Sequence, residues 1–129
     1  MKKLLLILAL IGTVLSCTDD DISTDPELSG NFYLTDISCF CGFNPEIDFK
    51  DFKLQFSSTN NSFTLINPTE DYFYIGSSGT YNYELDDTIL KVEGAASYIY
   101  SFEGNKLTLT LLDDPMVADD ELVLTYQKE

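Results

Sequence analysis

Apolar and polar side chains alternate at period two along most of residues 30–129. No stretch there shows the i, i+3, i+4, i+7 spacing of a surface helix over three turns. Phe32 and Leu34 begin a strand that Ile37, Cys39 and Cys41 resume one register later, so a bulge is expected near Asp36. Further strands are expected at Phe52, Leu54 and Phe56, at Phe63 and Leu65, and at Tyr81, Tyr83 and Leu85. Four more follow at Leu90 and Val92, at Tyr98, Tyr100 and Phe102, at Leu107, Leu109 and Leu111, and at Leu122, Leu124 and Tyr126. The punctuation agrees: Asp86-Asp87 separates two strands at hairpin distance, Gly104-Asn105 fits a two-residue turn, and residues 57–62 and 75–79 are loop material. The pattern predicts an all-β antiparallel meander of eight short strands, closed into a barrel so that no edge stays unpaired. A two-sheet β-sandwich has the same periodicity and stays open at this point.

The first sixteen residues follow other rules. Lys2 and Lys3 precede the apolar run at residues 4–15, LLLILALIGTVL. As a helix those residues cover roughly 18 Å, short of the ~30 Å hydrocarbon core. Residues 1–16 therefore read as an export signal and stand outside the fold. Residues 17–29 are polar, acidic and aperiodic, as in a tether, and residues 30–129 form the single expected domain.

Val14-Leu15-Ser16-Cys17 resembles the bacterial lipobox. That resemblance implies lipid attachment at Cys17 and a membrane contact made through the lipid alone. Asp19, Asp20 and Asp21 follow the cysteine, similar to the short acidic export signal of Bacteroidetes-type lipoproteins. The implied location is the outer membrane, displayed at the cell surface, with a periplasm-facing domain as the alternative.

Leu28-Ser29-Gly30-Asn31-Phe32-Tyr33-Leu34 resembles the opening Leu-x-Gly-x-Trp-x-Leu of small lipocalin-like domains in such lipoproteins. Gly79-Thr80-Tyr81-Asn82-Tyr83 is similar to their Gly-Thr-Tyr-x-Tyr strand, and residues 122–128 to their last strand. The resemblance implies a lipocalin-like barrel. Phe32 stands where tryptophan is usual, and Lys128 where arginine is often found; in lipocalins those two side chains pack together to close one end of the barrel.

Candidate chemistry is sparse. Cys39 and Cys41 share a strand face, and an exporting cell offers them an oxidising compartment. Their separation in a straight strand, about 6.6–6.8 Å, is at the limit of disulfide geometry, so a bridge between them requires a bend. Two thiols supply half a zinc shell and no histidine completes it. Asp113, Asp114, Asp119, Asp120 and Glu121 are the weak candidates for a cation, without the spacing or central glycine of an EF-hand, and are expected as a solvated acidic loop. No resident metal or cofactor is expected. Asp87-Thr88-Ile89 resembles a glycan acceptor motif of exported Bacteroidetes-type proteins.

Composition narrows the function. The chain holds 22 acids against 7 lysines, with no arginine or histidine, for a net charge of −15. Without residues 1–16, which carry two lysines and no acid, the charge is −17. Such a surface does not neutralise phosphates, so no nucleic-acid partner is expected. The usual general base near neutral pH is missing, and a non-enzymatic role follows as the expectation. Nine phenylalanines and eight tyrosines crowd a barrel that side chains can fill or leave open for one small ligand; the filled form is expected. The resemblance and the aromatic content point first to a binding module for a small apolar or aromatic ligand. The charge points to a basic protein partner, as for an inhibitor of a basic secreted enzyme such as lysozyme. A structural subunit of a surface complex is the remaining expectation.

Overall fold

A computed structural model describes residues 25–39, 46–69, 75–112 and 121–129. Their strands, in chain order, are β1 (Gly30–Cys39), β2 (Lys53–Phe56), β3 (Ser62–Ile66) and β4 (Gly79–Asp86), then β5 (Ile89–Val92), β6 (Ser97–Glu103), β7 (Lys106–Leu111) and β8 (Leu122–Lys128). Every strand pairs antiparallel with its sequence neighbours, and β8 returns to β1 to close the barrel. The sandwich is thereby excluded. A single 3₁₀ turn, Phe49–Asp51, precedes β2; the Asp48 carboxylate caps it by accepting from the Lys50 N–H at 3.0 Å.

β1 shows how the pattern becomes shape. Its first residues pair with both β2 and β8, and the β8 register shifts between Leu34 and Asp36. Thr35 is the extra residue, and its hydroxyl donates to the Thr125 carbonyl at 3.0 Å. The shift lets Phe32 and Leu34 point inward below the bulge and Ile37 above it, which uninterrupted alternation would forbid.

Inward positions from all eight strands form one core. Phe32, Leu34, Leu54, Leu90, Leu107, Leu109 and Leu124 have no exposed area. Each such side chain contributes about 1.5–3 kcal/mol by leaving water. Aromatic rings fill one level of the lumen. Phe32 on β1 meets Phe102 on β6 at 6.2 Å between centroids, although three strand steps separate them around the wall. Phe56 on β2 likewise touches Tyr83 on β4 at 5.8 Å, and Phe32 meets Phe56 edge-on at 5.7 Å. Rings that touch across a barrel leave no channel at that level.

The two ends differ. Where β1 begins, the connections are short: residues 57–61 between β2 and β3, Asp87 and Thr88 between β4 and β5, and Gly104 and Asn105 between β6 and β7. Gly104 has φ 60°, the left-handed conformation such a turn needs, and Asp87 adopts φ 54° at the same place in its own turn. At the opposite end lie the long connections, residues 40–52, 67–78 and 112–121, together with residues 93–96.

The folded body starts earlier than alternation alone implies. Residues 25–29, assigned above to the tether, belong to the barrel, because Leu28 is 2% exposed and part of the core. The tether seen from sequence is shorter by those five positions.

Candidate functional site

Residues 25–29 form a strap across the end with the short turns. Asp25 and Pro26 start a β-turn in which the Leu28 N–H donates to the Asp25 carbonyl at 3.1 Å. The Glu27 N–H donates to the Asp25 carboxylate at 2.9 Å, and the Ser29 hydroxyl to the Pro26 carbonyl at 2.9 Å. Gly30, at φ 87°, then turns the chain into β1. The strap is held from the far wall as well, since the Tyr100 hydroxyl donates to the Asp25 carboxylate at 3.0 Å. Burial and that bond to Asp25 push the Tyr100 phenol up to about 12. Burial raises Tyr83 too, with the Asp25 charge adding to it.

The same end carries a second closure. Lys128, the register partner of Phe32, places its ammonium 5.5 Å from the Phe32 ring centroid. A lysine cation thus stands over an aromatic face, an attractive arrangement. Deeper in, burial lifts Tyr98 to about 12 and raises Tyr126 further, with Tyr98 adding to the effect. These tyrosines are neutral core members at physiological pH.

Two depressions open at the surface. One, about 390 Å³, lies between the strap and the β2–β3 turn and is lined by Asp25, Leu28, Tyr83 and residues 57–61, among others. The other, about 450 Å³, lies on the β4–β5 wall among Asn82, Glu84, Lys91 and Glu93. There Lys91 and Asp86 form an exposed ion pair at 2.7 Å that lowers the Asp86 pKa and raises that of Lys91. On β6–β8 the outward positions Ser97, Ile99, Ser101, Thr108, Thr110, Val123 and Thr125 carry no charge, and the row ends in the register pair Glu103 and Lys106.

The end with the long connections is acidic. Glu46, Asp48, Asp51, Glu93 and Glu121 are exposed there, against Lys50. Of the cation candidates Asp113, Asp114, Asp119, Asp120 and Glu121, the first four lie outside the described residues and Glu121 is solvent-exposed. Among the described residues, no group of three or more His, Cys, Asp or Glu side chains could hold a metal ion. Cys39 is half-buried at the upper end of β1 and disulfide-bonded, while Cys41 and Cys17 lie outside the described residues. Thr88 sits exposed in its two-residue turn.

Sequence reasoning overlooked the strap. The signal was present: Asp-Pro is a turn opener, and Leu28 two residues later is a lone apolar residue with nowhere local to go. The bond from Tyr100 to Asp25 joins residues 75 positions apart, which no short motif reveals.

No protein-family model matches the chain, and no curated protein is similar to it.

Proposed function

We propose that this protein is a lipid-anchored, non-enzymatic binding module at the outer membrane that docks a basic protein on its acidic long-connection end. The observation that carries the reading is the set of exposed acids there: Glu46, Asp48, Asp51, Glu93 and Glu121, with Lys50 exposed among them. The net charge of −15 over the whole chain attracts cationic partners and speeds their encounter. The aromatic contacts across the lumen favour this over the small apolar ligand, because protein side chains occupy the space such a ligand would use.

Titration calorimetry with lysozyme and with cytochrome c, two basic probes, tests the proposal. Binding is expected at about 20 mM salt and should weaken at least tenfold by about 300 mM, where screening shortens the reach of surface charge. Replacing Glu46, Asp48 and Asp51 together by lysine should abolish it. Binding indifferent to salt, or none to either probe at low salt, rejects the proposal.

A further inference from the structure

We infer that the anchored barrel stands with its strap end toward the membrane and its acidic long-connection end away from it. This deepens the proposed function, since it makes the docking surface the one that faces outward, and it rests on anchoring through Cys17. The first observation is where the chain enters the fold. The strap lies across the short-turn end, fixed by buried Leu28 and by the bond from Tyr100 to Asp25. Cys17 is only eight residues before Asp25. Eight residues reach at most about 26–29 Å when fully extended and average roughly 16 Å as a flexible coil.

The barrel itself sets the second length. A strand of seven residues such as β8 rises roughly 18 Å along the axis at a tilt of about 40°. Inverting the barrel would place its own height and the long connections between Asp25 and the bilayer, stretching the tether close to its limit.

The chain has no tryptophan, so a single introduced one reports position cleanly. Asn105→Trp marks the strap end and Ser77→Trp the opposite end, both at exposed positions. Each full-length lipoprotein is incorporated into phosphatidylethanolamine–phosphatidylglycerol vesicles with a spin-labelled headgroup lipid as quencher. Quenching at residue 105 should exceed that at residue 77 by at least about threefold, given their separation across the barrel. Inserting about 12 Gly/Ser residues after Asp21 should bring the ratio toward one, because the longer coil spans the barrel. Equal or reversed quenching in the native-length chain overturns the inference. Vesicle flotation reports the anchor separately. If the purified chain does not float, anchoring through Cys17 fails, and the quenching ratio is read after coupling Cys17 to a maleimide lipid, where it decides the orientation alone.

Discussion

The strap end of the barrel is closed three times over: by a β-turn that buries Leu28, by Lys128 over the Phe32 ring, and by aromatic contacts across the lumen. At the opposite end the connections are long, their described acids are exposed, and the upper part of β1 is covered by the 3₁₀ turn rather than by β2. The difference follows from where the sequence places its side chains. At the strap end the connections are short, so little chain is left over, and the Phe32, Phe56, Tyr83 and Phe102 rings pack together in the lumen. Exposed acids stand at both ends, Asp86, Asp87 and Glu103 beside the short turns and Glu46, Asp48, Asp51 and Glu121 beside the long connections. The proposed docking surface lies at the pole opposite this closure, so stability and recognition should each be open to perturbation without the other.

The largest expected effect comes from emptying the filled level. Phe32→Ala removes a ring that touches Phe56, Phe102 and the Lys128 ammonium, and should cost about 3–5 kcal/mol in urea unfolding. That is a large share of the 5–15 kcal/mol typical of a domain. Leu28→Ala should cost about 2–4 kcal/mol by the same measurement. A loss under about 0.5 kcal/mol would return the strap to the tether and remove one of the three closures.

Alkaline unfolding tests the two tyrosines of β6. Tyr98 and Tyr100 have native pKa values raised to about 12 from an ordinary value near 10. A raised pKa means that the folded protein holds these protons more tightly than the unfolded chain. The stability is therefore complete below about pH 10 and is lost as pH rises toward 12. Melting temperature measured from pH 8 to 12 should hold steady and then fall across that window. Tyr98→Phe should blunt the fall.

Smaller effects sharpen the comparison further. A double-mutant cycle on Tyr100→Phe and Asp25→Ala should return a coupling of about 1.5–3 kcal/mol, the range for a hydrogen bond to a charged group. Gly104→Ala should cost about 1 kcal/mol through its positive φ alone, since no atom lies within 4 Å of the added Cβ. Asp87→Gly, at φ 54°, should leave stability level or raise it by a few tenths of a kcal/mol. At the opposite end, Glu121→Ala should stay within about 0.5 kcal/mol.

These residues also mark what sequence could and could not reveal. Strand alternation at Phe52, Leu54 and Phe56, or Leu107 and Leu109, was legible because each face of a strand meets one environment. The bulge near Asp36 was legible for the same reason, as a slip in parity that Thr35 absorbs. The strap was not, because burial of Leu28 depends on a lumen built by residues far along the chain. The partnership of Phe32 with Lys128 had a signal in the family resemblance, but not in its usual residue types. Acidic positions were visible as composition; only topology gathers Glu46, Glu93 and Glu121 at one pole.

The proposed division between a sealed pole and a docking pole is tested most directly by amide shift mapping of the ¹⁵N-labelled protein titrated with lysozyme at low salt. Perturbations should concentrate at Glu46, Asp48, Asp51, Glu93 and Glu121, leaving Asp87, Gly104 and the Phe32 level unmoved. Perturbations centred on the short turns, or spreading through Phe32, Leu54 and Tyr83, would contradict the division.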